Sequence, residues 1–436
     1  MADENGTLST SQGLADVAAD EDRLFRDGYI KGIAEFIKGC ATPMTIAIQG
    51  DWGVGKTSLI NLIDMELRAK PESPQDYDPD AWRYCSDIIG VAIVDVWQQS
   101  IANPKADLLE VILGEIVRKL GGADPSEMEK VSNFALATAQ LLSTATDDEG
   151  NNAKGAKDAS PFSILIATLF GGEEEKKDKS NDNYITVEDI ESFHSDLDEA
   201  LREAADENDK SKNSRFVVFI DGLDHINTEV AVDVMEHIKA FMDCPRCVFV
   251  YAIDEKTVCD GIRKKLGDKT DERRKKMFFD KIIQVPLRIP TSAYNLERYV
   301  EDLMGGDKEH SSECAEVLRI LLSNPTPLSI KRYINTMYLY KNSFGGSESA
   351  QVDSLAMLLA AVILEVENEQ GFNVVAKCAR GDEAQLAENL KAALGSLDLN
   401  DGINRAKLPA LWGETEGAAG DAAKRKAFLS WVRKLK

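Results

Sequence analysis

Histidine is scarce in this chain, with four in 436 residues (His194, His225, His237 and His310), and no second cysteine pair accompanies the single C-x-x-C, Cys244-Pro-Arg-Cys247. A structural zinc site needs four such ligands at set spacings, so the pair reads better as a turn leading into a buried strand. The other cysteines (Cys40, Cys85, Cys259, Cys314 and Cys378) bring the total to an odd, scattered seven, expected as reduced thiols. No apolar run reaches the roughly 18 residues that a membrane-spanning helix requires. The opening MADENGTLSTSQG is acidic and polar, unlike a signal peptide, and a cytoplasmic location is expected. Basic residues are in deficit too: 51 Lys and Arg against 75 Asp and Glu leave a formal charge of −24. Surfaces that coat nucleic acid draw on clustered Lys and Arg, so the overall charge argues against one, although a local basic patch is not excluded.

What remains is an ordinary folded composition, 43% hydrophobic and 29% charged, long enough for two or three domains. Residues 1–20 read as disordered. A helical stripe then starts around Asp22 and runs through Tyr29, Ile33, Phe36 and Ile37. Met44-Thr45-Ile46-Ala47-Ile48 has the composition of a buried parallel strand, and a helix starts at Lys56. Further strands are expected at 88–96, 216–220, 248–253 and 282–287, with helices at 108–120, 186–208, 228–242 and 256–266 between them. Strands alternating with helices imply a parallel sheet covered on both faces. Residues 121–183 break the pattern with a small-residue helix at 131–144, polar stretches and a short apolar run. They read as an insertion, either a solvated excursion or a partner contact. From 291 to 436 the periodicity is helical. The expected organisation is an α/β core over 21–290, a three-layer αβα domain with a parallel sheet, followed by an all-helical domain over 291–436.

Between the first strand and the helix at Lys56 lies Gly50-Asp51-Trp52-Gly53-Val54-Gly55-Lys56-Thr57, followed by Ser58, which fits G-x-x-x-x-G-K-[ST]. Its glycines let backbone N–H groups turn inward around phosphates, and the helix N-terminus adds the positive end of a dipole. Lys56 is expected to reach the β- and γ-phosphates, and the Thr57 hydroxyl to ligate Mg²⁺. A matching carboxylate, Asp221, ends the apolar segment Phe216-Val217-Val218-Phe219-Ile220 and is placed to hold Mg²⁺. Many P-loop ATPases follow that residue with a second carboxylate that polarises water. Here Gly222 stands there, and the next acid is Asp224, read either as the water-activating group or as a cap.

These residues resemble the KAP family of P-loop ATPases, within the larger STAND class that includes NACHT proteins. Ala47-Ile48-Gln49-Gly50-Asp51-Trp52-Gly53 is similar to the family's form of the loop, and Val94-Asp95-Val96-Trp97-Gln98 to its F-x-x-W box. Asp221-Gly222-Leu223-Asp224 resembles its D-x-L-D variant, with a glycine closer to the NACHT spelling, and Tyr251-Ala252-Ile253-Asp254 resembles the sensor-bearing strand. Phe279-Asp280-Lys281-Ile282-Ile283-Gln284-Val285-Pro286 is similar to its K-I-I-Q-x-P stretch. Asn324-Pro325-Thr326-Pro327 through Asn335 looks like N-P-R-x-x-K-R-x-x-N, with Thr326 in place of the arginine. The resemblance spans about 21–345. It implies catalytic roles for Lys56, Asp221, Asp224 and Arg332, the last with Lys331 as a γ-phosphate sensor. It also implies a base packed near Leu24, Arg26 and Tyr29. The absence of an N-K-x-D box favours ATP over GTP.

By that resemblance the protein is a Mg²⁺-dependent ATPase. It would switch a helical domain within a multi-protein signalling or antiviral defence complex, as a homo-oligomer or with a separate effector protein. A scaffold with negligible hydrolysis, motivated by Gly222, and an ATP-dependent nucleic-acid loader are the alternatives. Arg273-Arg274-Lys275-Lys276 reads as a solvated helix face or as an arginine finger for a neighbour's site, and Lys281 is similarly ambiguous. Residues 424–436 pack six basic residues among Phe428, Leu429, Trp431, Val432 and Leu435. They form either an amphipathic helix for an anionic surface or acidic partner, or the last helix of the core.

Overall fold

The computed structural model describes residues 13–19, 21–24, 26–68, 87–102, 214–241, 245–266, 272–344, 355–379, 408–413 and 421–436, with scattered helical positions within 108–119 and 194–202. The expected insertion at 121–183 and the loops near 345 and 400 lie outside them. Contacts divide the chain into two units, one of Asp27–Asp51 and Lys56–Ile289, the other of Met1–Arg26, Trp52–Gly55 and Pro290–Lys436.

The first unit holds α1 (Asp27–Gly39), β1 (Met44–Gln49), α2 (Lys56–Leu67), β2 (Ile88–Asp95), α3 (Val96–Ala102), β3 (Arg215–Asp221), α4 (Thr228–Phe241), β4 (Cys247–Ile253), α5 (Glu255–Leu266), α6 (Glu272–Ile282) and β5 (Val285–Arg288). Its five strands are parallel, in the order β2-β3-β4-β1-β5. β3 and β4 are buried at every residue, as continuous apolar strands covered on both faces must be. Pro286, which cannot donate to a ladder, sits in β5 at the sheet's edge.

Three expectations need correction here. The first helix begins at Asp27 rather than Asp22, because the Asp22 carboxylate accepts the Arg26 N–H and holds the chain in a turn. Its buried face is Ile30, Ile33, Ala34 and Ile37, and Phe36 is exposed. The last strand starts at Val285, not at residue 282: Ile282 ends α6, its carbonyl takes the Thr45 hydroxyl (2.7 Å), and Gln284 N–H reaches the Thr45 carbonyl (3.1 Å) before strand pairing begins.

The second unit is helical: α7 (Leu296–Leu303), α8 (Lys308–Leu321), α9 (Pro327–Phe344), α10 (Leu355–Glu367), α11 (Glu369–Ala379) and α12 (Ala422–Leu435). Every residue of α10 from Leu355 to Leu364 is buried, so it forms the centre of this core. Among the described residues no helix is long and apolar enough to cross a membrane. α9 opens with reciprocal capping: Thr326 N–H donates to Ser329 Oγ (3.0 Å) and Ser329 N–H to Thr326 Oγ1 (3.2 Å), with Pro327 as first helical residue. The threonine that replaces the family's arginine is thus spent as a helix cap. Phe428, Leu429, Trp431 and Val432 of α12 are buried in the same core. Of the two readings of residues 424–436, the structure therefore has the core helix, and the apolar half needed for dipping into an anionic surface is already used.

Candidate functional site

In the sheet unit, Gly50 N–H donates to the Ile253 carbonyl (3.1 Å), anchoring the chain to β4 as it leaves β1. Lys56, the first residue of α2, is buried. Its Nζ donates to the Gly50 carbonyl (2.9 Å) and the Asp51 carbonyl (3.4 Å) and forms an ion pair with Asp224 Oδ2 at 2.8 Å. An ammonium taken out of water needs such partners, and Asp224, 7% exposed like Lys56, supplies the counter-charge. Next to it, the Thr57 hydroxyl donates to Asp221 Oδ2 at 2.5 Å, and Gly222 N–H donates to Asp221 Oδ1 at 2.8 Å. Burial pushes the Asp221 carboxyl above its usual range. The two hydrogen bonds oppose that shift, and the neighbouring Asp224 and Asp95 reinforce it. A hydroxyl and a carboxylate side by side are hard oxygen donors of the kind Mg²⁺ takes alongside phosphate oxygens and water. A cation there would offset the strain on the buried acid, so the residues present fit the ion.

The glycine after Asp221 has a structural cause. Gly222 has φ +79°, and a Cβ there would lie 2.9 Å from Asp95 Oδ1 and 3.0 Å from the Trp97 backbone nitrogen. A side chain is excluded both by the left-handed backbone and by the end of β2. The chain turns instead through a 3₁₀ turn, Leu223–His225, that brings Asp224 back to Lys56. Asp95 pairs in register with Asp221 across β2 and β3, and its Oδ1 accepts the Gln98 N–H (2.9 Å). His225 lies against Trp97, ring centroids 5.3 Å apart, with Nε2 3.7 Å from Asp224 Oδ1.

The tip of the phosphate loop, Trp52–Gly55, groups with the helical unit. Leu328 N–H, at the start of α9, donates to the Gly53 carbonyl (3.3 Å), and the Tyr294 hydroxyl donates to the Val54 carbonyl (2.8 Å). At Gly53, φ +76°, a Cβ would come within 2.6 Å of the Leu328 side chain, so this contact requires glycine. Arg26 is 4% exposed, its guanidinium carbon 5.6 Å from the Tyr294 ring centroid, and its Nη1 faces Gly55. Arg26 Nε and Nη1 have no hydrogen-bond partner among the described residues. Arg26 Nε does lie 3.6 Å from the Asp22 carboxylate, an ion pair longer than a hydrogen bond.

The other expected residues fall as follows. Asp51 is exposed and paired with Lys256 (3.1 Å). Trp52 is 70% exposed, and Ser58 is half-buried. Tyr29, expected near a base, donates its hydroxyl to the Arg288 carbonyl (3.1 Å). Arg332 is exposed on α9. Lys331 Nζ donates to the Ala15 and Val17 carbonyls (3.3 and 3.4 Å). Asn335, of the same signature, pairs twice with the Leu14 backbone, accepting its N–H (2.6 Å) and donating to its carbonyl (2.9 Å). Residues 13–19, read from the sequence as part of a disordered lead, are thus held along α9. Arg273 and Lys281 are exposed on α6, and the Arg274 side chain lies outside the described residues. Cys247 is buried in β4, whereas Cys244 lies outside the described residues. Sequence reasoning missed Asp95, His225, Tyr294 and Leu328. Asp95 was visible inside the F-x-x-W box, but only the strand order puts it beside Asp221.

Two comparisons with known proteins complete the picture. The model for the KAP family P-loop domain matches residues 26–344, well over half of the chain. No curated protein matches it.

Proposed function

The chain belongs to the KAP family of P-loop domains, and from that premise we propose that it binds ATP with Mg²⁺ and hydrolyses it. In this reading the nucleotide acts as a switch within a multi-protein signalling or antiviral defence complex. The observation that carries the reading is the double pairing at the phosphate loop, Lys56 with Asp224 and Thr57 with Asp221. A γ-phosphate arriving at the loop competes with Asp224 for Lys56. Once Lys56 turns to the phosphate, the Asp224 carboxylate is released to accept a proton from an attacking water. Thr57 and Asp221 would hold Mg²⁺, whose charge offsets the phosphates. Tyr294 and Leu328 bond the loop's own carbonyls, so a change in loop conformation on hydrolysis is felt directly by α9.

The test is fluorescent-ATP binding with and without Mg²⁺, beside steady-state phosphate release over a range of protein concentrations. Binding that requires Mg²⁺ and is lost in Lys56→Ala is the expected result; full binding and turnover by Lys56→Ala would sink the site. Specific activity that rises with concentration would indicate a shared site in an oligomer, with Arg273 or Arg274 as the trans-acting residue. A second reading, a nucleotide-gated scaffold with negligible hydrolysis, draws support from the crowding that excludes a carboxylate at position 222. Asp224→Asn separates the two: turnover lost with ATP still bound supports the enzyme, and no change in an already negligible rate supports the scaffold. Nucleic-acid loading retains only the basic residues of α12 in its favour, and absence of DNA binding at low salt would remove it.

A further inference from the structure

Asp224 is only half engaged. Oδ2 pairs with Lys56, but Oδ1 is buried without a hydrogen-bond partner among the described residues. The His225 ring faces it, with Nε2 at 3.7 Å. The ring's position is built in. His225 N–H closes the 3₁₀ turn on the Gly222 carbonyl (3.1 Å), and one face of the imidazole rests against Trp97. The side chain is 30% exposed, so a proton arriving at the ring has a way out to water. Among the described residues the charged groups near the pair include Lys56 from α2, Asp221 from the end of β3 and Asp95 from the end of β2, and Trp97 of α3 contributes its ring.

We propose that His225 is a positioning residue for Asp224, fixing the orientation of its carboxylate and relaying the proton it collects. The proposal rests on the hydrolytic reading above. In the step, a water oxygen forms a bond to the γ-phosphorus. The bond from that phosphorus to the β–γ bridging oxygen breaks, and its electron pair leaves on the diphosphate. The water's proton passes to Asp224, then to Nε2 of the neutral imidazole, and on to solvent. His225 therefore acts while neutral, and turnover falls as the ring becomes protonated at low pH.

The pH dependence of kcat for the full chain, for His225→Gln and for His225→Ala tests this. Expected are a loss of about a hundredfold in kcat, the lower end for positioned acid–base groups, with KM little changed, disappearance of the acid limb, and partial rescue of His225→Ala by added imidazole. Variants that turn over like the parent, or keep its acid limb, overturn the relay and leave the hydrolytic reading standing. A parent that binds ATP but does not turn over overturns both. A second readout needs no turnover: the NMR signals of the His225 ring in the nucleotide-free protein should move in Asp224→Asn, because the two side chains face one another. No difference there overturns the pairing itself.

Discussion

The Lys56–Asp224 pair shows how much one buried contact decides before any ligand arrives. Both side chains are 7% exposed. Removing one partner leaves an uncompensated charge, which costs more than removing both. Lys56→Ala should therefore lower the stability of the ligand-free protein by about 3 kcal/mol, and Lys56→Ala with Asp224→Ala should recover much of that loss. Denaturant unfolding of the two variants beside the parent measures it, and additive losses would mean the pair is not coupled. Asp221 carries the opposite sign. Its carboxyl is raised in the folded state, chiefly by burial, so the folded protein holds that proton more tightly than the unfolded chain does. The stability this provides is complete below the unfolded value and is lost as pH rises through the folded one. At neutral pH the ionised acid is a cost, and Asp221→Asn should raise Tm by about 2 °C while losing Mg²⁺-dependent ATP binding. The gain should narrow as pH falls toward about 4. Equal gains at both pH values would discount burial as the cause.

At the scale of elements, α9 joins two jobs. Its first turn bonds the Gly53 carbonyl through Leu328, and its middle holds residues 14–17 through Lys331 and Asn335. Asn335 recognises only backbone, so the strap depends on that amide and not on the identity of Leu14. Asn335→Ala should expose the segment at 13–19 to limited proteolysis and to faster amide exchange, with α9 itself unchanged. Unaltered cleavage would show that the strap is held by other means. The last helix gives a sharper contrast between its two faces. Phe428 is fully buried and lies 5.9 Å from the Trp412 ring, so Phe428→Ala should cost about 3–5 kcal/mol. Lys424, Arg425 and Lys426 occupy the N-terminal end of the same helix, where positive charge opposes the dipole. Changing all three to Gln should alter stability by within about 0.5 kcal/mol, as read by thermal melts. A large loss from the Gln variant would mean these charges are structural.

Across the whole molecule, what could be read from residue order and what could not divide along a physical line. Local signals were strong where one element decides the outcome. Apolar runs became β1, β3 and β4, the phosphate loop lay between β1 and α2, and helical periodicity filled the region after 291. The boundaries that moved were set by particular contacts: Thr45 holds the chain at Ile282 and Gln284 from far along the sequence, and the Asp22 carboxylate holds the turn before α1.

Residue types and their spacing thus determined the family, the parallel α/β sheet with its helical companion, and the phosphate-loop signature at residues 50–57. They did so because a phosphate loop is a local device: the turn, the glycines and the helix start lie within eight consecutive residues, 50–57. Only the tertiary structure decided why position 222 has no carboxylate, that Asp95 and His225 stand beside the paired acids, and that Lys331 and Asn335 hold the chain's own lead. Those outcomes depend on strand order and on contacts between residues up to 321 positions apart. Spacing along a chain does not encode such distances, because packing brings those residues together only once the sheet and the helices have formed.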